Sequence, residues 1–123
     1  MNYKEMVNKN FWGQTLSVDM SHCDMKKFSK SSLAKFCKEL CHKIKMEREG
    51  SAIVKRFGEG NLLGNSAVQF IKTSSITIHA DEVYNRIFID VFSCKKFDKN
   101  VARDFCKNYF AAKKVKSRNY YRV

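Results

Sequence analysis

Periodic patterns of apolar residues divide the chain into predicted strands and helices. Within 11–20, Leu16, Val18 and Met20 alternate with polar residues, which predicts a half-buried strand because successive side chains point to opposite faces. The same reasoning predicts strands at 52–54, 67–71, 75–79 and 86–92, and an edge strand at the C-terminal end that contains Tyr120 and Tyr121.

Two stretches carry apolar residues at the spacing of an amphipathic helix. The first runs from about Ser31 to Met46, and its buried stripe consists of Leu33, Phe36, Cys37, Leu40, Cys41 and Ile44. We interpret the two cysteines of this stripe as small core residues without a redox role. The second helix begins at about Asp98, a residue type that caps helix N-termini, and continues to Phe110.

The order of elements, β-α-β-β-β-β-α-β, predicts the fold class α/β: a two-layer sandwich in which a mostly antiparallel sheet carries two helices on one face. No linker or repeat interrupts the chain, so residues 1–123 are predicted to form a single domain. The second face of so apolar a sheet also needs a cover. We expect a second copy of the chain to supply it, in a homodimer.

Basic residues outnumber acidic ones by a wide margin. Twenty-four Lys and Arg against twelve Asp and Glu give a net charge of +12, which attracts polyanions such as nucleic acid. The basic residues are spread over both halves of the chain, with one dense cluster at 113–118. Composition therefore keeps a basic nucleic-acid-binding module as an alternative, although a nucleic-acid partner is not our first expectation.

The remaining composition argues for a cytoplasmic protein. The sequence contains no apolar run long enough for a signal peptide or a membrane span, so no membrane partner is expected. The five cysteines form no CxxC pair, and the three histidines do not have zinc-finger spacings. We expect neither a disulfide framework nor a metal site.

Residues 64–97 contain the types of side chain that a site with a nucleophile and a base would require. Hydroxyl residues surround Ser74, His79 follows in the same strand, and Cys94 ends the next strand. A hairpin centred near Val83 would place Ser74 opposite Phe92 and close to Cys94, which brings together a hydroxyl, an imidazole and a thiol. Taken singly, each of these residues is more often structural than functional. Moreover, Ser74 and His79 are five residues apart, so a straight strand would point them to opposite faces unless it bulges, bends or breaks at Ser74.

This segment resembles the S-adenosylmethionine decarboxylase proenzymes of the short prokaryotic class, which are self-processing pyruvoyl enzymes. In that family a serine cleaves its preceding peptide bond, and the residues that assist it occur at fixed spacings. Here Ser66, Ser74, His79 and Cys94 stand at those spacings without a gap, and the last ends the family's Asp-Val-Phe-(Ser/Thr)-Cys run as residues 90–94. The segment from Trp12 to Asp19 is similar to the family's opening strand.

The resemblance implies a role for each of these residues. Cleavage between 73 and 74 would convert Ser74 into the pyruvoyl group that forms a Schiff base with S-adenosylmethionine, and no metal would be needed. His79 would be the processing base, Ser66 would assist processing, and Cys94 would donate a proton after decarboxylation. Phe57 is a weak candidate for stacking on the purine of the substrate. The product would donate aminopropyl groups for spermidine synthesis, a branch of polyamine biosynthesis.

The sequence departs from the family pattern at two places. The usual Glu-Ser-His around the cleavage point is Thr73-Ser74-Ser75 here, and the usual Trp-Pro-Glu is replaced by Asp81-Glu82-Val83. The second change leaves open a pyruvoyl-dependent decarboxylase of another amino acid, such as ornithine or arginine.

Overall fold

The predicted strands form one sheet in the computed structural model, which describes residues 12–122. Phe11, with which the first strand was predicted to begin, lies outside the described residues. In chain order the strands are β1 (Gly13–Ser21), β2 (Ile53–Phe57), β3 (Gly64–Ile71), β4 (Ser74–Asp81), β5 (Arg86–Ser93) and β6 (Lys114–Arg122). Their order in the sheet is β2-β3-β4-β5-β1-β6, and all neighbours are antiparallel.

Two helices lie against one face of this sheet and pack on each other. Helix α1 (Lys30–Lys43) begins where the Ser29 hydroxyl accepts a hydrogen bond from the Ser32 N–H, and α2 (Lys99–Phe110) begins at Asp98, whose carboxylate accepts from two backbone N–H groups. The ring of Phe36 on α1 contacts those of Phe105 and Phe110 on α2. The predicted two-layer α/β sandwich is confirmed, as is the Asp98 cap.

Strand parity separates a buried face from an open one. The core lies between the helices and the sheet face formed mainly by Leu16, Val18, Met20, Ile76, Ile78, Ile87, Ile89 and Val91, all of which are at most 2% exposed. The residues between these point to the opposite side of the sheet, away from α1 and α2. We call this side the open face.

Some boundaries differ from the predicted ones. Helix α1 ends at Lys43 rather than near Met46, because Lys45 has a positive φ of 58° that a helix does not accommodate. Strand β2 continues to Phe57, since its backbone pairs with β3 even though its side chains are mostly exposed. Among residues 12–122, no helix is long and apolar enough to cross a membrane.

Candidate active site

The Thr73–Ser74 peptide bond, which the family resemblance predicts to be cleaved, lies at a tight turn between β3 and β4. Ile71 pairs with Ser74, so Lys72 and Thr73 are the two turn residues and Ser74 is the first residue of β4. Thr73 has a φ of 63°, in the left-handed region. A β-branched residue rarely adopts this conformation, which costs on the order of 1–3 kcal/mol. The Thr73–Ser74 peptide bond therefore follows a strained and exposed residue.

Cys94 lies beside this turn, immediately after β5 ends. Its backbone N–H donates a 3.0 Å hydrogen bond to Ser74 Oγ, and its Sγ contacts the Thr73 hydroxyl. The buried Ser93 fixes the chain here, because its hydroxyl donates to the Lys95 carbonyl oxygen and accepts from the Lys95 N–H. Thr73, Ser74 and Cys94, which we call the turn cluster, thus come together from two hairpins.

Cys94 differs in its surroundings from the other four cysteines. Cys94 is partly exposed, whereas the others are buried and all five are free. Burial raises the pKa of Cys23 and Cys41 to about 11 and that of Cys37 and Cys106 to about 12. These four thiols remain protonated and enclosed at neutral pH, in agreement with the predicted core role of Cys37 and Cys41.

Ser66 and His79 form a second, separate pair on the open face. They are direct partners across the β3–β4 ladder, and Ser66 Oγ lies 3.0 Å from His79 Nδ1. Ser66 is partly buried and His79 is exposed. The hydrogen bond orients the imidazole and leaves its Nε2 edge available to a reacting group.

The turn cluster and the Ser66–His79 pair do not meet within one chain. Strand β4 is continuous from Ser74 to Asp81, and its pairing with β5 is regular from Ser75 onwards, so no bulge changes the parity. Ser74 has the parity of Ile76, which faces the helices, while His79 points to the open face. Five residues of extended chain separate them by roughly 17 Å. The predicted juxtaposition thus occurs as two pairs rather than as one site.

A cavity of about 280 Å³ adjoins the Ser66–His79 pair. Phe57, the predicted stacking residue, lines it from β2 and is 58% exposed. Phe88 lines it from β5, directly opposite His79 in the β4–β5 register. Sequence reasoning missed Phe88, because the predicted register with Ser74 opposite Phe92 puts Ile87 opposite His79. The observed ladder is shifted by one residue: it pairs Ser75 with Phe92 and therefore Phe88 with His79. An apolar surface next to a polar pair is typical of a small-molecule site.

Comparisons with known proteins bear on the family and the fold of the chain. A family model described as S-adenosylmethionine decarboxylase matches residues 14–123. The chain belongs to the S-adenosylmethionine decarboxylase family. The crystal structure of the adenosylmethionine decarboxylase from Aquifex aeolicus is similar in fold, with a TM-score of 0.77 and 16% sequence identity over 91% of each chain. No curated protein matches the chain in sequence.

The family match confirms two predictions made from residues 64–97: the S-adenosylmethionine decarboxylase family, and the enzyme class, a lyase that releases CO₂. Neither the fold nor the family supports the nucleic-acid-binding module or a decarboxylase of ornithine or arginine. The roles of the individual residues stay predictions.

Two of the three residues that replace the Trp-Pro-Glu of the S-adenosylmethionine decarboxylase family form ion pairs, and one of these pairs, Asp81 with Arg86, lines the cavity. Glu82 accepts two hydrogen bonds from Arg56, at 2.6 and 3.0 Å, and these hold the pKa of its carboxyl below the usual range. Asp81 accepts from Arg86 at 2.6 and 2.8 Å. Both carboxylates are therefore neutralised by an arginine in this chain.

Proposed function

We propose that this chain is a self-processing decarboxylase of S-adenosylmethionine, whose pyruvoyl group is made from Ser74. The observation that carries the proposal is the turn cluster, in which a serine follows a strained residue and lies next to the one partly exposed cysteine. The product would serve as an aminopropyl donor for spermidine. We also propose a cytoplasmic location, because five free thiols suit a reducing compartment.

The conformation and contacts of the turn residues favour formation of a pyruvoyl group at position 74. Ser74 Oγ accepts the Cys94 N–H, which holds the hydroxyl at the start of β4 rather than free in solvent. The preceding Thr73 is exposed at a chain reversal, so the two new termini can separate after cleavage without unpairing β3 from β4. Strain at Thr73 favours any step that frees its φ angle.

Processing breaks one bond of the chain in three steps. Ser74 Oγ attacks the Thr73 carbonyl carbon, the Thr73–Ser74 C–N bond breaks, and an ester forms while the Ser74 nitrogen becomes a free amine. A base removes the Ser74 α-proton, and the Thr73 carboxylate leaves as a carbon–carbon double bond forms. Water then hydrolyses the resulting enamine and releases ammonia, leaving a ketone at position 74.

Cys94 is the proposed proton donor of the decarboxylation. A pyruvoyl group at position 74 would supply an electron-accepting carbonyl for the electrons released when the substrate carboxylate departs as CO₂. Cys94 lies beside that position, and its backbone is held by the Ser93–Lys95 hydrogen bonds. A thiol fixed there can return a proton to the carbon that has lost CO₂.

His79 is the proposed base, and we propose that it acts on the partner chain of a homodimer. A base must come within hydrogen-bond distance of the proton that it removes, and His79 lies roughly 17 Å along β4 from Ser74 of the same chain. A twofold axis that crosses the open face near the middle of β4 would place the Ser66–His79 pair of one protomer over the turn cluster of the other. Ser66 would then donate a hydrogen bond to the developing oxyanion or hold the imidazole.

The apolar character of the open face supports this dimer. Ile53, Phe57 and Phe70 are each more than half exposed there, and Trp12 stacks on Phe92 at a centroid distance of 5.7 Å while remaining 60% exposed. A soluble domain seldom leaves so many apolar side chains uncovered on one face. A second copy of the same face is a self-complementary cover.

Processing is tested by intact-mass analysis of the purified protein. The wild type should yield fragments of 73 and 50 residues, the latter with a blocked N-terminus, and Ser74→Ala should remain full length. A wild type that remains full length after prolonged incubation contradicts self-cleavage.

The role of Cys94 is tested by separating cleavage from turnover. Cys94→Ala should cleave at Ser74 but release CO₂ from labelled S-adenosylmethionine about 10²–10⁴-fold more slowly. Cys23→Ala removes a buried thiol elsewhere and should keep turnover within a few-fold of wild type. Undiminished turnover by Cys94→Ala would assign Cys94 a packing role only.

Action of His79 on the partner chain is tested by co-expressing two inactive variants. Ser74→Ala lacks the cleavable serine, and His79→Ala lacks the base, so each alone should remain full length. In mixed dimers the His79→Ala chain should be cleaved, with the base supplied by its Ser74→Ala partner. If the wild type is cleaved and the mixture is not, His79 acts within its own chain.

A further inference from the structure

A second cavity lies on the helix side of the molecule, away from both pairs of site residues. It is a cleft of about 600 Å³ between α1 from Lys35 onwards, the connection that follows this helix, and Phe105 of α2. This volume is within the range of small-molecule sites. The mechanism proposed above does not use this cleft.

The rim of the cleft is strongly cationic. Lys35, Lys38, Lys43 and Arg48 line it, with Glu39 as the single carboxylate and His42 as a further titratable group. None of the four cations forms an ion pair with another residue of the 12–122 range. The charge of Arg48 also reaches the floor, where it lowers the pKa of the Cys41 thiol against the larger effect of burial. These charges are therefore free to bind an anion.

The floor of the cleft is apolar. It is formed by the buried Cys41 and the partly buried Met46 and Phe105, so a wholly polar anion would leave this surface uncovered. A flat, apolar ring fits the floor, and phosphate groups fit the rim. We propose that the cleft is a binding site for a nucleoside di- or triphosphate, with the base on Phe105 and Met46 and the phosphates on Lys38, Lys43 and Arg48.

One segment that lines this cleft, residues 45–49, also contacts the chain around the turn cluster. The segment 45–49 contributes Met46 and Arg48 to the cleft, and its backbone bonds to the end of β3 and to the turn that follows. The Glu49 N–H donates to the Phe70 carbonyl oxygen, and the Lys72 N–H donates to the Glu47 carbonyl oxygen. Its Lys45 carbonyl oxygen accepts from Lys95 Nζ, next to Cys94. A nucleotide held by Arg48 would therefore contact the segment that positions both parts of the turn cluster.

Binding is tested by calorimetry of ATP with the full-length Ser74→Ala chain and with the wild type, so that the result does not depend on processing or turnover. We expect ATP to bind with micromolar affinity, and Lys38→Glu and Lys43→Glu each to weaken it at least tenfold. Lys107→Glu makes the same charge change on an exposed position of α2 outside the cleft and should stay within twofold. An equal loss in Lys107→Glu, or no binding of ATP to either chain, would overturn the proposal.

Four further measurements distinguish binding of the base from binding of the phosphates and locate the site. Inorganic triphosphate should bind at least tenfold more weakly than ATP, and Phe105→Leu should weaken ATP while leaving triphosphate unchanged. Excess S-adenosylmethionine should not displace ATP, and hydrogen exchange should slow in 35–49 and in 70–72. Triphosphate binding as tight as that of ATP, or displacement by S-adenosylmethionine, would contradict a nucleotide site in this cleft.

Discussion

Thr73 combines two properties at one position of the chain. Its left-handed backbone is a consequence of the two-residue turn, and its side chain donates to the Lys72 carbonyl oxygen while it contacts Cys94 Sγ. The family's usual glutamate at this place would also be strained there, but it would not offer a hydroxyl to the cysteine. The strain is thus set by the turn, and the contact with the thiol is particular to threonine.

Replacing Thr73 by glycine should stabilise the uncleaved chain. Glycine adopts a positive φ without a steric penalty, so Thr73→Gly in the Ser74→Ala background should raise the free energy of unfolding by about 1 kcal/mol. Urea denaturation measures the change. Thr77→Gly, in the extended part of β4, should instead destabilise the protein, and a similar loss in Thr73→Gly would contradict strain at the turn.

Selective alkylation should distinguish Cys94 from the other cysteines. A raised pKa keeps a thiol protonated at pH values below it, so at pH 8 a cysteine with a pKa of about 12 has a thiolate fraction of roughly 10⁻⁴. Brief treatment of the native protein with iodoacetamide should modify Cys94 and spare the buried four. Peptide mass mapping reads the sites, and modification of Cys37 or Cys106 in the folded state would contradict their burial.

At the scale of elements, the β3–β4 pairing depends on a glycine that the sequence alone does not single out. A Cβ on Gly64 would lie 2.2 Å from the carbonyl oxygen of Ala80, which is backbone and is held in the β4–β5 hairpin. The close approach brings the start of β3 against the end of β4. It thereby favours the register in which Ser66, two residues after Gly64, pairs with His79, one residue before Ala80.

Gly64→Ala should therefore be costly. Forcing a methyl group against an immobile carbonyl shifts the strands, and we expect a loss of about 2–3 kcal/mol in the free energy of unfolding by urea. Gly50→Ala is the matched control, since nothing lies near its Cβ and only its positive φ is strained, at about 1 kcal/mol. Equal losses in the two variants would show that Gly64 has room for a side chain.

At the scale of the whole molecule, the two faces of the sheet differ in burial and in the residues that they carry. The helix-bearing face holds the core, while the open face carries exposed apolar residues together with His79 and Ser66. Introducing charge on the open face at Phe70→Lys should convert a dimer into a monomer in sedimentation experiments. Val101→Lys, at a similarly exposed position on α2, should leave the oligomeric state unchanged. A monomeric wild type at micromolar concentration would contradict the proposed dimer.

The sequence by itself determined the type and order of the elements. Their periodicities are local, so Leu16, Val18 and Met20 indicate a strand and Leu33, Phe36 and Leu40 a helix before any partner is known. The spacing of Ser66, Ser74, His79 and Cys94 indicated the family, because it compares positions along one chain. The hydrophobic pattern did not determine where each element ends. Helix α1 ends at Lys43, before the positive φ of Lys45, and no hydrophobic pattern encodes that backbone angle.

Only the tertiary structure decided which of these residues meet. Whether two strand residues share a face depends on parity and on the position of each turn. The turn at Lys72 and Thr73 places Ser74 with Cys94, and the regular ladder beyond it places Ser66 with His79, so residues that the sequence suggested as one site form two pairs. The cationic cleft has the same origin, since Lys38, Arg48 and Phe105 come from three segments that only packing brings together.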